Sequence, residues 1–164
     1  MNNNNLFLGL EYLNLNDNKL YGTIPDHVKN LGNLQELSLF VNEISGTIPN
    51  ISSKHLRILH LSNNMLTGTI PESVLNLEML EDINLDGNML SGTISSFSSK
   101  YLRVLNLGNN RLIGTLPQDF NQSVGLDSVY LYTNEFSGTI PDAITNLKNL
   151  TTRKLSKIIE MRWY

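Results

Sequence analysis

One pattern, L-x-x-L-x-L-x-x-N-x-L-x-G-T-I-P, recurs six times along the chain with small variations, at intervals of 22 or 24 residues. A unit of this length cannot bury its own apolar face, so consecutive units must stack and share one continuous core. The pattern therefore predicts a solenoid. The six copies begin at Leu10, Leu34, Leu56, Leu80, Leu102 and Leu126.

The repeats divide the chain into three parts. Residues 10–149 hold the six repeats of 24 or 22 residues, and residues 1–9 form an asparagine-rich head and a partial repeat. Residues 150–164 depart from the pattern, and we predict either a degenerate seventh repeat or a C-terminal cap. Uncapped ends would expose apolar side chains, so end-to-end self-association is a possible consequence.

The L-x-L stretch of each repeat has the periodicity of a strand with one buried face. Strands that recur at this spacing lie side by side and predict a parallel inner β-sheet. The Thr-Ile segment after the glycine predicts a short outer strand, which the following proline ends. The 24-residue units leave room for a short helical or 3-10 segment on the convex side, whereas the 22-residue units are expected to cross in extended form. The predicted fold class is an α/β solenoid with these elements.

An asparagine occupies the ninth position of every repeat, where the chain leaves the inner strand. Its amide can donate and accept, so it can bond backbone groups of neighbouring repeats and form a ladder along the solenoid. An unpaired buried amide costs about 1–3 kcal/mol, so other residue types fit poorly there. The predicted structural ladder consists of Asn18, Asn42, Asn64, Asn88, Asn110 and Asn134.

Side chains between the inner-strand leucines are expected to point to solvent. Neighbouring strands lie about 4.8 Å apart, so these side chains form one continuous surface. Aromatic residues on it are the strongest indication of a binding site, because aromatics are enriched among the residues that dominate interface energetics. The predicted ligand-binding residues are Tyr12, Glu36, Phe40, Val41, His60, Asp82, Asn84, Asp86, Tyr130 and Tyr132.

The neighbourhood of His60, Asp82 and Asp86 raises the question of acid–base catalysis. A diagonal across adjacent strands is about 7–8 Å, which predicts no direct bond between the histidine and either carboxylate. An open, wet face also lacks the burial that tunes catalytic groups. We interpret these residues as solvated polar groups and expect no enzyme activity.

Composition reduces the number of ligand and cofactor classes that remain to be considered. The chain contains no cysteine, and no metal or cofactor motif is evident, so we expect neither a metal nor a cofactor. The net charge is −3 and the basic residues are scattered, whereas nucleic-acid binding needs a basic stripe. No run approaches the roughly 20 apolar residues that cross a bilayer. We therefore expect a protein or peptide ligand, no nucleic acid and no membrane insertion by this chain.

The segment Leu20-Tyr-Gly-Thr-Ile-Pro25 and its copies after each asparagine resemble the plant-type leucine-rich repeat. The resemblance covers residues 10–150. It implies the α/β solenoid and the family's role as the ligand-recognising ectodomain of receptor-like kinases and receptor-like proteins, or as a secreted enzyme inhibitor. An extracellular or cell-surface location is implied with it. An intracellular scaffold in the cytoplasm is the alternative, because the chain shows no secretion signal or transmembrane helix.

Three Asn-x-Ser/Thr sequons, at Asn50, Asn121 and Asn149, are possible glycosylation sites. Asparagine, serine and threonine are so abundant in the chain that sequons arise by chance, so these three carry little evidence for secretion. All three are expected to lie away from the inner strands.

Overall fold

Two parallel β-sheets run along the solenoid. The computed structural model describes residues 9–118, 125–142, 152–154 and 161–162, the last two ranges by their backbone alone. As far as residue 136, strands alternate between the two sheets along the chain, because each of the six repeats contributes one strand to each sheet. The predicted α/β solenoid with a parallel inner sheet, short outer strands and short helical or 3-10 segments is confirmed.

The inner sheet contains seven strands in chain order. Equivalent repeat positions align across it, so that Leu37 pairs with Leu59 and Leu59 with Ile83. The seventh strand continues the sheet into residues 150–164, whose assignment as a degenerate repeat or a cap stays a prediction. These strands are β1 (Tyr12–Asn14), β3 (Glu36–Ser38), β5 (Ile58–His60), β7 (Asp82–Asn84), β9 (Val104–Asn106), β11 (Ser128–Tyr130) and β14 (Thr152–Lys154).

The second sheet contains six strands of two to five residues, which lie earlier in the repeat than predicted. They follow the ladder asparagine closely, and several end at the glycine, because its positive φ turns the chain before the isoleucine is reached. They are β2 (Tyr21–Thr23), β4 (Glu43–Thr47), β6 (Met65–Gly68), β8 (Met89–Gly92), β10 (Arg111–Gly114) and β12 (Glu135–Phe136). A separate pair joins β13 (Gly138–Thr139) to β15 (Met161–Arg162).

The outer segments differ between long and short repeats. Long repeats contain the 3-10 helix η1 (Asp26–Asn30) and the helix α1 (Glu72–Leu75). The short repeats cross without a helix over residues 50–57 and 96–103, as expected. There the hydroxyls of Ser53 and Ser99, both buried, donate to the carbonyl oxygens of Leu34 and Leu80, the first residues of the same repeats, at 2.7 and 2.6 Å. These bonds hold the outer segment of each short repeat against the start of that repeat.

The core lies between the two sheets and is built from the leucine columns. Side chains such as Leu59, Leu85 and Leu107 are fully buried in it. At the N-terminal end the apolar side chains are less well covered, and those of Leu20 and Tyr21 are 40% and 87% exposed. This end offers apolar surface to the predicted self-association, which stays a prediction. Within the described part of the chain, no helix has the length and apolar character needed to cross a membrane.

Candidate ligand-binding face

Asparagine amides join each repeat to the one before it. In Asn88, Nδ2 donates to Leu61 O at 3.0 Å and to Leu85 O at 3.1 Å, and Oδ1 accepts from the Leu66 N–H at 2.9 Å. The same arrangement recurs at Asn42, Asn64, Asn110 and Asn134. Asn18, in the first repeat, donates to two carbonyls of its own repeat. These bonds hold the turn after each inner strand and so position the side chains that precede it.

The face opposite the core, called the inner face below, consists of positions three, five and seven of each repeat, from Tyr12 to Tyr132. Strand register brings these positions into three columns across the sheet. Tyr12 is 59% exposed at the edge, with its hydroxyl 3.3 Å from Gln35 Oε1, whereas Glu36 and Tyr130 are half-buried. Val41 lies one position beyond the columns and is exposed.

Tyr132 reaches across two strands of this face. Its hydroxyl donates to Asp86 Oδ1 at 2.9 Å, although the two residues are 46 positions apart in the chain. The Asn109 amide donates to the same oxygen at 3.1 Å. Tyr132, predicted as an exposed aromatic, is therefore half-buried and anchored by its hydroxyl.

Gly108 makes this reach possible. A Cβ at this glycine would lie 2.6 Å from both Tyr132 Cζ and Asp86 Oδ1, so any side chain there would displace the ring. Burial raises the pKa of the Tyr132 hydroxyl, and the hydrogen bond to Asp86 raises it further. Tyr132, Gly108 and Asp86 thus form a bridge across three repeats, which we call the tyrosine bridge.

Phe40 and His60 form an aromatic contact on the inner face. Their rings pack edge to face, with centroids 6.5 Å apart and planes at 60°. The Phe40 N–H donates to Asn16 Oδ1 at 2.9 Å, which holds the backbone of the aromatic residue. Val41 follows with φ at 54°, a left-handed conformation that is unfavourable for a β-branched residue.

The expectation that His60 is too far from a carboxylate was wrong. His60 Nε2 lies 3.1 Å from Asp82 Oδ1, although the register makes His60 a neighbour of Asn84 and only a diagonal neighbour of Asp82. An imidazole is long enough to cross that diagonal when it leans along the strand. The two atoms are not aligned for a hydrogen bond, and neither has a hydrogen-bond partner elsewhere among the described residues. Both atoms are buried, although their side chains are 26% and 33% exposed, so the interpretation of these two groups as solvated was wrong at these atoms.

Asn84 has a local contact that sequence reasoning missed. Its Oδ1 accepts from the Asp86 N–H at 3.2 Å, which closes the turn at the end of the strand. Asn14 and Asn106, at the same position of other repeats, make the equivalent bond. The recurrence of asparagine at this position of the sequence could have predicted this bond. Asn84 thus supports the shape of the inner face.

A row of charged side chains along the start of the inner strands was also missed. Arg57 pairs with Glu81 through two contacts of 2.7 and 3.1 Å, and Arg103 pairs with Asp127 at 2.9 Å. Each pair spans 24 residues and joins a 24-residue repeat to the repeat that follows it. The 24-residue spacing between each arginine and its carboxylate in the sequence could have predicted these pairs. These pairs flank the inner face without lying on it.

Of the three sequons, Asn50 lies in the described part of the chain. It is exposed in an outer segment, away from the inner strands, and its Oδ1 accepts from Ser73 Oγ at 3.1 Å. Asn121 and Asn149 lie outside the described residues. No group of three or more histidines and carboxylates able to hold a metal ion occurs among the residues that the structure describes.

The two-sheet solenoid, its asparagine bonds and its open inner face define a leucine-rich-repeat protein. A family model for the Leucine Rich Repeat matches residues 9–31, 55–77 and 101–123. The chain belongs to the leucine-rich-repeat family, and its repeats are of the plant type found in receptor-kinase ectodomains.

Several solved structures are similar to this chain. The Arabidopsis receptor kinase HAESA, in complex with the peptide hormone IDA and the co-receptor SERK1, is 33% identical with a TM-score of 0.82, over 87% of this chain and 25% of that one. The PEPR1–AtPEP1 structure is 31% identical with a TM-score of 0.84, over 93% of this chain and 21% of that one.

A shorter relative aligns along most of its length. The Pollen Receptor Kinase 3 structure is 28% identical with a TM-score of 0.81, over 93% of this chain and 76% of that one. By contrast, this chain spans about a quarter of the HAESA chain. No curated protein sequence matches the chain.

Proposed function

We propose that this chain is a non-catalytic recognition module that binds a protein or peptide ligand on its inner face. The observation that carries the proposal is the contrast within each repeat: apart from the recurrent Asn14, Asn84 and Asn106, inner-face residues differ between repeats, whereas the core leucines, ladder asparagines and turn glycines recur. Residues without a structural requirement are free to serve binding. The similar structures support the proposal, because HAESA is in complex with the peptide hormone IDA.

The aromatic side chains of the inner face favour binding over mere solvation. Phe40 and Tyr130 are half-buried at the surface, and Phe40 is held by its contact with His60. Aromatic side chains of this kind offer a large contact area at a low cost in rotamer entropy. A ligand that covered them would gain burial of apolar surface without first having to order the site.

The chemistry of His60 supports a non-catalytic role. Its Nε2 faces Asp82, and among the described residues no hydrogen bond joins His60 to the hydroxyl of Ser38, its buried register partner on β3. A nucleophile must lie within hydrogen-bond reach of its base. We therefore expect the chain to turn over no ester, amide or phosphate substrate. Turnover that His60→Ala abolishes would contradict this part of the proposal.

The biological setting follows from the relatives. We propose that the chain is a fragment or a relative of a cell-surface leucine-rich-repeat receptor, because HAESA and the Pollen Receptor Kinase 3, to which it is similar, are receptor kinases. Antibody staining of intact against permeabilised cells tests this setting. Staining only after permeabilisation would favour the cytoplasmic scaffold instead.

The experiment that tests the binding function uses a display library of short random peptides, selected on the immobilised chain. Selected peptides are expected to lose binding to Phe40→Ala and Tyr130→Ala, each by more than about 1 kcal/mol, and to keep binding to Lys29→Ala. Lys29 lies in η1, on an outer segment, so it is a control for surface changes away from the sheet. Peptides that lose binding only to Lys29→Ala would overturn the proposal.

A further inference from the structure

Charge is distributed unevenly on the inner face. Its described side chains include three carboxylates, Glu36, Asp82 and Asp86, but no lysine or arginine. Lysines and arginines of the described residues lie on other surfaces, as Arg57 and Arg103 do at the flank. The face is therefore complementary to a cationic partner.

Asp86 differs from neighbouring carboxylates in how its charge is compensated. Glu81 and Asp127 pair with arginines, and Asp82 lies against His60. Asp86 instead accepts from two neutral donors, the Tyr132 hydroxyl and the Asn109 amide. Both bonds end on Oδ1, so Oδ2 has no donor among the residues that the structure describes. A negative charge thus remains available at a fixed place.

The tyrosine bridge places an aromatic ring beside this charge. The ring packs against Gly108 on one side, so the exposed part of the half-buried side chain faces the solvent above the sheet. Its hydroxyl bond to Asp86 restrains the ring, so little rotamer freedom remains to be lost on binding. A ring face next to a carboxylate attracts a cation by two additive electrostatic effects.

We propose that the tyrosine bridge is a subsite for a cationic side chain, arginine or lysine, of the peptide ligand. The cation lies over the Tyr132 ring and donates to Asp86 Oδ2. This inference rests on the proposed function and adds the chemistry of the ligand and the place where it binds.

The test compares two display libraries of short random peptides that differ only in one fixed central residue, arginine or glutamate. On the unaltered chain the arginine library is expected to be enriched about tenfold over the glutamate library, because the subsite attracts one charge and repels the other. Asp86→Asn keeps the acceptor for Tyr132 and removes the charge, so the enrichment ratio is expected to fall toward one. Tyr132→Leu should lower the affinity of arginine peptides about two- to fivefold, the range of an exposed cation–π contact.

The matched control is Glu135→Gln, which removes one exposed carboxylate from β12, in the same repeat as Tyr132 but on the other sheet. It should leave the arginine preference unchanged. An equal loss of the arginine preference in Glu135→Gln would show that net charge attracts the peptides, and it would overturn the subsite. An arginine preference that survives Asp86→Asn would also overturn the subsite. Peptides from both libraries that bind equally and need Phe40 would refute the subsite and leave the proposed function standing. Binding by neither library would refute both.

Discussion

The Cγ2 methyl of Thr47 occupies the space in which a side chain at Gly68 would begin. A Cβ at Gly68 would lie 2.9 Å from that methyl carbon, and Gly68 has φ at 76°. The same contact recurs between Thr23 and Gly46, where the distance would be 2.8 Å. Each Gly-Thr pair thus serves two repeats, because its threonine packs on the glycine of the repeat that follows.

Gly68→Ala is therefore expected to lower the free energy of unfolding by about 1–3 kcal/mol, through backbone strain and the clash with Thr47. Thr47→Ser removes the methyl, so it should recover the steric part of this loss in the double variant but not the part due to φ. Chemical denaturation of the four proteins of this cycle measures the coupling. Gly32→Ala is the control, since nothing lies within 4 Å of the added Cβ there; a loss as large as that of Gly68→Ala would contradict the account.

A second strained position precedes the ladder asparagine. Asn63 and Asn109 adopt φ of 53° and 46° there, which asparagine tolerates, but Val41 adopts 54° with a β-branched side chain. Val41→Asn is expected to raise the free energy of unfolding by about 1 kcal/mol. The reverse change, Asn63→Val, should lower it by a similar amount. Thermal unfolding of both variants tests this, and a lower midpoint for Val41→Asn would show that valine packing outweighs the strain.

The fold followed from the sequence because one repeat specifies every element. The period placed Leu37, Leu59 and Ile83 in one register, and the longer spacing after Pro25 and Pro71 left room for helical segments. The family was identified from the same recurrent repeat positions.

Contacts on the inner face were harder to predict. The columns identify which residues are neighbours, but they do not predict the direction in which a side chain points. His60 reaches Asp82 along a diagonal, and Tyr132 reaches Asp86 by passing over Gly108. The length of a side chain and the space left by a glycine two strands away determine these contacts, and neither is visible in the period.

Asn88 provides the sharpest test of the asparagine ladder. Asn88→Ala would leave the buried Leu66 N–H without its side-chain acceptor, and the Leu61 carbonyl would keep only the Asn64 amide as a side-chain donor. We expect a loss of about 1–3 kcal/mol in the free energy of unfolding. Asn18→Ala removes an exposed asparagine from the end of the ladder and should cost less. Denaturant titration compares the two, and an unchanged midpoint for Asn88→Ala would refute the structural role.

The last prediction concerns alkaline pH. Burial, followed by the hydrogen bond to Asp86, raises the pKa of Tyr132 above the ordinary tyrosine value of 10.0. The folded chain therefore holds this proton more tightly than the unfolded chain does. The resulting stabilisation is fully present below pH 10 and is lost as the pH rises through the folded pKa. Tyr132→Phe lacks the ionisable hydroxyl, so its unfolding midpoint should fall less steeply between pH 9 and pH 11.5 than that of the unaltered chain. Tyr101→Phe is the control, because it removes a hydroxyl from an exposed side chain and should not flatten the profile in this way. Parallel profiles for the unaltered chain and Tyr132→Phe would mean that the hydroxyl is as free in the folded chain as in the unfolded one, and the tyrosine bridge would then be absent in solution.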